Sequence, residues 1–178
     1  DEDFDILKRH GVTVACCPAS NLKLASGYAN VPKMLESGIN VALGTDGAAS
    51  NNNLNIMQDM YLFGVVYKGY FRDPTIITPA EVLRAATRAG ALSQGRDDSG
   101  LLAVGMRADL CVLNTDTPQF TPMTSAACNV VYAAQGADIR MTMVDGEVLY
   151  RDGEFKTIDI EKVKAEVQRR TDSILSRL

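Results

Sequence analysis

A short apolar segment followed by two closely spaced glycines constrains the fold most strongly. Residues 39–43 are mostly apolar, which is typical of a strand buried on both faces of a sheet. Gly44 and Gly47 flank Thr45 and Asp46. The backbone can therefore turn sharply here, and the carboxylate of Asp46 can project from the strand end. The carboxyl ends of strands carry the active site in open α/β sheets and in (β/α)8 barrels. Asp46 is therefore the first candidate for a catalytic residue; the alternative is a cap of the following helix.

The residues before this segment complete a strand–helix–strand unit. Residues 12–16 are β-branched and apolar and stop at Pro18, which predicts a strand. We interpret residues 18–27 as a loop and residues 31–37 as a helix that ends at Gly38. A right-handed parallel crossover of this length places both strand ends on the same side of the sheet.

Two polar residues in the loop after the first strand are further candidates for the site. Ser20 and Asn21 should open onto the same mouth as Asp46, because the two strands are expected to run parallel. The alternative role for both is loop capping, in which short polar side chains satisfy nearby backbone groups. The cluster Ser50, Asn51 and Asn52 is expected to hold the turn that aims Asp46.

The remaining elements follow from periodicity and turn signals. Helices are predicted over residues 4–9, 54–68 and 78–90, and strands over residues 108–114, 129–132, 139–144 and 147–150. The Asp145-Gly146 pair predicts a hairpin between the last two strands. The final helix begins near Asp159 and should dock through its apolar face.

Charge and cysteine content exclude several classes of partner. The net charge is −4, and the 18 Lys and Arg residues are scattered, which favours neither nucleic acid nor an anionic membrane as partner. No apolar stretch approaches the roughly 20 residues needed to span a bilayer, and no targeting segment is visible. Cys16 and Cys17 are adjacent, and Cys111 and Cys128 stand in apolar surroundings, so we expect reduced thiols, no disulfides and a cytoplasmic location.

Three motifs in order resemble one enzyme family. Residues 18–27, 43–52 and 105–110 resemble the amidohydrolase superfamily, with its 5-methylthioadenosine/S-adenosylhomocysteine deaminase branch as the nearest match, beside the triazine chlorohydrolases. The chain starts at Asp1 inside an apparent helix, so we expect it to be the later part of a longer chain.

The resemblance implies an α/β fold that is the C-terminal part of a (β/α)8 metal-dependent hydrolase barrel. Residues 12–16 would be its seventh strand and residues 39–43 its eighth. Residues 1–99 would belong to the barrel, residues 100–158 to a composite β-sandwich, and residues 159–178 to a C-terminal surface helix.

The resemblance also implies a chemistry. Family members bind one divalent metal, commonly zinc, through a His-x-His pair, a further His, and an Asp after the eighth strand, which Asp46 matches. Asp46 would then be metal ligand and proton acceptor as activated water attacks C6 of an adenosine-type purine nucleoside and ammonia leaves. Asp46, Ser20 and Asn21 would be substrate contacts.

The chain departs from the family pattern in its histidines. His10 is the only histidine and precedes a strand, so no His-x-His pair exists, and one Asp cannot hold a metal that needs about three protein ligands. We therefore expect the chain alone to be inactive, and to associate with a missing N-terminal segment or with further copies of itself.

Several alternatives stay open. A non-catalytic fragment or subunit with a structural or assembly role is one. Triazine chlorohydrolysis and guanine or cytosine deamination are alternatives within the enzyme class. Asp109 is expected to belong to a turn of the sandwich.

Overall fold

The computed structural model describes residues 2–178, and its N-terminal half is built around two parallel strands. Strand β1 (Thr13–Cys16) pairs in parallel with strand β2 (Asn40–Leu43). The register places Thr13 opposite Asn40 and Cys16 opposite Leu43. The carboxyl ends of both strands therefore lie side by side, which confirms the parallel crossover predicted from the sequence.

Seven helices accompany this pair of strands in the described part of residues 1–99. They are α1 (Glu2–Arg9), α2 (Pro18–Lys23), α3 (Val31–Glu36), α4 (Ala48–Asn51), α5 (Ile56–Phe71), α6 (Pro79–Ala86) and α7 (Arg88–Ser93). The sequence Thr78-Pro79-Ala80-Glu81 predicts a capping box, and α6 starts with one: the Thr78 hydroxyl accepts from the Glu81 amide, and the Glu81 carboxylate accepts from the Thr78 amide.

Two of the sequence predictions in this half are wrong. The segment interpreted as a loop begins with helix α2, because Pro18 stands in the first turn, where a missing N–H costs no hydrogen bond. The helix predicted to run to residue 90 breaks at Thr87, whose φ and ψ are −124° and −88°. The break lets the Arg88 guanidinium donate to the backbone oxygens of Asp97 and Ser99 at 3.0 and 2.7 Å.

One apolar core joins the strands to the helices. Its fully buried side chains come from both halves of the chain and include Val31, Val41, Phe63, Tyr67, Val82, Phe120 and Val131. The spacing of apolar residues predicts that Met57, Tyr61 and Val65 lie on the buried face of α5, and this is only partly correct. Met57 is buried, but Tyr61 is 47% exposed, whereas Phe63 and Tyr67 are buried. The buried face of α5 is thus rotated from the predicted one.

The C-terminal half contains a four-stranded antiparallel sheet. Its order is β3 (Leu110–Leu113), β4 (Ile139–Val144), β5 (Glu147–Arg151) and β6 (Glu154–Phe155). Asp145 and Gly146 connect β4 to β5 with φ values of 52° and 81°. Positive φ at both central residues is the requirement of the hairpin turn that the Asp-Gly pair predicted, and that prediction is confirmed.

The strand predicted at residues 129–132 is a helix. Helix α8 (Ala126–Tyr132) begins after Ser125, whose hydroxyl accepts from the Cys128 amide at 3.3 Å. Tertiary contacts explain the difference: Val131 is 1% exposed in the shared core, and the Tyr132 hydroxyl accepts from Lys68 at 2.7 Å. Val130 and Val131 are β-branched and intrinsically favour a strand, but the packing of this segment against α5 outweighs that preference.

The C-terminal helix forms where expected but does not dock. Helix α9 (Ile160–Leu175) is capped by the Asp159 carboxylate, which accepts from the Lys162 amide at 3.0 Å. No residue of α9 is buried, and Val163, Val167 and Ile174 are 45%, 57% and 60% exposed. The prediction of a docked helix is wrong, because residues 2–178 supply no surface that covers this apolar face.

Among residues 2–178, no helix has both the length and the apolar character needed to cross a bilayer.

Two valine substitutions should differ in their effect on stability, because one lies in the buried core and the other on the exposed face of α9. Val82→Ala removes two buried methyl groups from α6, so the free energy of unfolding should fall by about 2 kcal/mol. Val163→Ala makes the same chemical change on the exposed face of α9 and should alter stability by less than about 0.5 kcal/mol. Urea denaturation followed by circular dichroism measures both. Equal losses for the two variants would contradict the burial described here.

Candidate functional site

The Asp46 carboxylate stands at the carboxyl end of β2 and accepts three short hydrogen bonds. The hydroxyls of Ser20 and Ser50 donate to its Oδ2 at 2.6 and 2.7 Å. The Gly47 amide donates to its Oδ1 at 2.7 Å. The backbone of Asp46 is left-handed, with φ of 61°, and the side chain is exposed. The turn thus presents a carboxylate at the strand end, as the sequence predicts, and both of its oxygens are already oriented.

These donors favour the ionised form of Asp46. The hydrogen bond from Ser20, then that from Ser50 and then that from the Gly47 amide lower the pKa of Asp46 from 3.8 to about 2. The carboxylate is therefore charged at neutral pH. A group with so low a pKa suits the role of metal ligand better than that of proton acceptor, unless one of the hydroxyl bonds is released.

The residues after Asp46 hold its turn in place. Asn51 is buried, and its side-chain amide donates to the Thr45 backbone oxygen at 2.7 Å and to the Asp59 carboxylate at 3.1 Å. Asn52 ends α4 in a left-handed conformation with φ of 66°, and its side-chain oxygen accepts from Lys23. The expected structural role of this polar cluster is confirmed.

The two candidates from the first strand's side behave differently. Ser20 lies in α2, is 2% exposed and contacts Asp46 directly. Asn21 follows it in α2 and is half-buried, and its backbone oxygen accepts from the Ser26 amide at 2.9 Å. The hydrogen bonds of residues 2–178 join Ser20, but not Asn21, to the Asp46 carboxylate.

Sequence reasoning missed Asp59. This residue of α5 is 0% exposed, and its Oδ1 accepts from the Ala19 amide at 3.0 Å. Burial raises the pKa of Asp59. The available signal was its spacing of four and eight residues from Phe63 and Tyr67, which places a carboxylate on the buried face of the helix.

Two thiols lie close to this carboxylate cluster. The Cys16 Sγ is 3.6 Å from the Tyr67 hydroxyl, and burial raises the pKa of Cys16. Burial, followed by the charge of Asp46, raises the pKa of Cys17. Both groups are therefore neutral thiols at neutral pH, whereas a metal ligand would have to be a thiolate. All four cysteines are free.

The described residues do not form a complete metal site. No group of three or more His, Cys, Asp and Glu side chains within residues 2–178 is arranged to hold a metal ion. His10 is exposed and lies just after α1, before β1. Asp46 fits a metal as one ligand, and the further protein ligands that zinc requires are not provided by residues 2–178.

Asp109 has the turn role expected for it. Its carboxylate accepts from the Asp145 amide at 2.7 Å and from the Ser99 hydroxyl at 3.2 Å. Asp109 therefore joins the β4–β5 turn at Asp145 to the segment that contains Ser99.

Asp46 should titrate well below an ordinary aspartate. The carboxyl carbon resonance of Asp46 is expected to have a midpoint near pH 2 in a ¹³C NMR titration. Since the folded pKa lies below the unfolded value, this carboxylate stabilises the fold above about pH 4, and the contribution is lost as the pH falls toward 2.

A pair of serine variants tests the cause of this shift. Ser20→Ala removes the strongest donor and should raise the midpoint of Asp46 toward 3.8. Ser93→Ala is the matched control, because its hydroxyl donates to the Gly90 oxygen at 2.6 Å instead. A wild-type midpoint already near 3.8 would show that the hydrogen bonds described here do not form in solution.

Curated relatives match the chain along nearly its whole length. A 5-methylthioadenosine/S-adenosylhomocysteine deaminase of Acetivibrio thermocellus is 44% identical over 98% of this chain and 41% of the relative. A 5'-deoxyadenosine deaminase of Methanosarcina mazei is 40% identical over 100% of this chain and 41% of the relative. The chain thus spans about two fifths of the length of the curated relatives it matches.

Solved structures give the same match. An adenosine deaminase from Xanthomonas campestris with bound zinc superposes with a TM-score of 0.94 at 30% identity, covering 98% of this chain and 40% of that one. Atrazine chlorohydrolase from Arthrobacter aurescens, complexed with zinc, superposes with a TM-score of 0.86 at 27% identity, covering 94% and 38%.

The family assignment rests on these matches and on the α/β architecture. The model of the amidohydrolase family matches residues 1–149, which include the Asp46 turn and all the motifs that suggested the resemblance. The resemblance read from the sequence is confirmed, and the chain belongs to the amidohydrolase family.

Proposed function

We propose that this chain is the C-terminal portion of a metal-dependent deaminase of adenosine-type substrates such as 5-methylthioadenosine or S-adenosylhomocysteine. The observation that carries the proposal is the ionised Asp46 carboxylate, which projects from the end of β2 and is oriented by Ser20 from the neighbouring strand's side. Relatives that are 40% and 44% identical and are named as deaminases of such nucleosides support the substrate class.

The fold placement is part of the same proposal. Strands β1 and β2 would be the seventh and eighth strands of a (β/α)8 barrel, and strands β3 to β6 would belong to a small β-sandwich. Residues 1–99 would belong to the barrel domain, residues 100–158 to the β-sandwich domain, and residues 159–178 to the C-terminal helix. The parallel pairing of β1 with β2 and the antiparallel pairing of β3 to β6 support this division.

Asp46 would contribute one ligand to a single divalent metal ion. Zinc is the favoured metal because two solved relatives carry it. The remaining ligands would be histidines from a segment outside this chain, since residues 2–178 hold no complete set. When bound, zinc activates a water molecule for attack on the purine C6, from which ammonia leaves.

The residues of this chain would act through hydrogen bonds around that metal. Ser20 and Ser50 hold Oδ2 of Asp46 and Gly47 holds Oδ1, so the carboxylate is aimed before any ligand binds. A hydroxyl that turns away from Oδ2 raises the pKa of the carboxylate and allows it to accept the proton of the attacking water and pass it to the departing ammonia. Ser20 and Asn21 would contact the substrate at the same mouth.

Other reactions of the same family are secondary candidates. Triazine chlorohydrolysis and guanine or cytosine deamination would use the same carboxylate and metal. Adenosine-type deamination is preferred because the named nucleoside deaminases share 40–44% identity with this chain, whereas the chlorohydrolase shares 27%.

The runner-up from a different class is a non-catalytic fragment or subunit with an assembly role. The observation that favours it is the incomplete metal site of residues 2–178. In either case we propose a cytoplasmic location, no nucleic-acid or membrane partner, and association with a missing N-terminal segment or with further copies. The two-stranded sheet and the uncovered apolar face of α9 support association.

Asp46→Asn should abolish catalysis in a protein that carries the histidines. This chain, joined to the segment that precedes the matched part of the Acetivibrio thermocellus relative, is expected to deaminate 5-methylthioadenosine when loaded with zinc. Asp46→Asn should lower kcat at least about 100-fold, because a ligand and proton-transfer group is lost. Ammonia release measures the rate.

The matched control for this assay is Asp116→Asn, an exposed aspartate of the C-terminal half, which should leave kcat unchanged. An Asp46→Asn protein that keeps more than about a tenth of the wild-type kcat would contradict the assigned role.

A denaturing intact-mass spectrum distinguishes the deaminase hypothesis from the hypothesis of a non-catalytic fragment or subunit. Protein purified from its natural source is expected to show a species larger than 19.2 kDa, or a second co-purifying chain that contains histidines. A single species of 19.2 kDa with no second chain would favour the non-catalytic alternative.

A further inference from the structure

A buried carboxylate lies directly behind the candidate site and is not explained by the proposed chemistry. The side chain of Asp59 in α5 is 0% exposed. Its Oδ1 accepts from the Ala19 amide at 3.0 Å, and its Oδ2 accepts from the Asn51 side-chain amide at 3.1 Å. Each oxygen therefore binds one donor, and the two donors come from different segments of the chain.

These two segments are the ones that carry the candidate site residues. Ala19 immediately precedes Ser20 in α2. Asn51 also donates to the Thr45 backbone oxygen at 2.7 Å, and Thr45 immediately precedes Asp46. The Ser20–Asp46 hydrogen bond of 2.6 Å closes a ring whose opposite side is Asp59.

We propose that Asp59 is a positioning residue that fastens the α2 segment to the Asp46 turn and so holds Ser20 against Asp46. The inference rests on the proposed function only in that Asp46 is the group being positioned. Asp59 makes no hydrogen bond to Asp46, so its effect passes through Ala19 and Asn51.

The donor pattern explains why a carboxylate is needed at this position. Both partners of Asp59 are N–H donors, so both of its oxygens must accept. An asparagine has one accepting oxygen, and its amide would confront either the Ala19 N–H or the Asn51 amide. Asn51 cannot turn its own oxygen toward residue 59 without giving up its bond to Thr45. The amide variant therefore breaks the ring at one of two defined places.

Energetic cost also distinguishes Asp59 from an ordinary core residue. Burying a carboxylate away from water is unfavourable unless hydrogen bonds compensate, and an apolar side chain would fill the same core space without that cost. The neighbours of Asp59 on the buried face of α5 are Phe63 and Tyr67. A carboxylate that joins two site segments at this point accounts for its presence among them.

The chain contains a matched control for this carboxylate. Asp138 is 7% exposed, and its carboxylate accepts one side-chain amide, from Gln119 at 2.9 Å, and one backbone amide, from Gln135 at 2.8 Å. The donor types and the burial resemble those of Asp59, but both partners lie in the C-terminal half. Asp138→Asn therefore reproduces the chemical change without touching the ring.

Hydrogen exchange followed by mass spectrometry on the full 178-residue chain tests the proposal without any activity measurement. Asp59→Asn should speed exchange about tenfold or more in residues 18–24 if the Ala19 bond is lost, or in residues 44–52 if the Asn51 bond is lost, because a buried donor loses its acceptor. Residues 110–113 and 139–151 should keep the wild-type rate. Asp138→Asn should leave residues 18–24 and 44–52 unchanged. Uniformly faster exchange in Asp59→Asn would show a merely structural role and overturn the proposal.

Asn51→Ala provides a second variant in case Asp59→Asn does not fold. It leaves the Asp59–Ala19 bond and removes the link to Thr45, so exchange should rise in residues 44–52 and stay low in residues 18–24. Unchanged exchange in residues 44–52 would overturn the proposal.

A double-mutant cycle reports on Ser20 itself. Ser20→Ala should lower the urea midpoint in the wild-type chain and in Asp138→Asn by the same amount, but by less in Asp59→Asn or Asn51→Ala, where Ser20 is already displaced. Equal shifts in all backgrounds would mean that Asp59 and Ser20 act independently and would contradict the inference. Failure of the deaminase assay would leave both of these results interpretable, since neither depends on turnover.

Discussion

The parallel pairing of β1 and β2 is the constraint on which the rest of this structure depends. Because the two strands run in the same direction, their carboxyl ends meet at one edge, and the residues that follow them share a mouth. The hydrogen bond from Ser20 to Asp46 connects these two ends. The Asp46 carboxylate is thus held by groups from both strand ends and is ionised as a result.

The site that results is well ordered but incomplete. Asp46 offers one oriented carboxylate, and the described residues provide no further set of metal ligands around it. The two curated deaminases compared above are about two and a half times as long as this chain, which spans 41% of each. The uncovered apolar face of α9 and the two-stranded parallel sheet are consistent with the same proposal, in which further chain completes both the core and the metal site.

The parts of the fold that sequence reasoning predicted are those that depend on local chemistry. The Asp46 turn needed glycines beside a buried strand, the β4–β5 hairpin needed Asp145 and Gly146, and α6 needed a capping box. The errors arose where tertiary packing decided. Residues 129–132 became helical through contacts with α5, and α9 was expected to dock because its amphipathic pattern cannot show whether a covering surface exists.

The residues of the candidate site show the same difference between what local sequence predicts and what only tertiary packing decides. Asp46 could be found from its position after a strand, and Ser20 from the parallel crossover. Asp59 could not, since an aspartate within a helix ordinarily faces solvent, and only the fold shows that it meets Ala19 and Asn51.

The most direct test of this account is the position of the metal. Crystals of the chain assembled with a histidine-bearing N-terminal segment and zinc would be measured at the zinc absorption edge. The account predicts an anomalous peak about 2.0–2.2 Å from a carboxylate oxygen of Asp46. A zinc peak bound entirely by other residues, with Asp46 still held only by Ser20, Ser50 and the Gly47 amide, would contradict it.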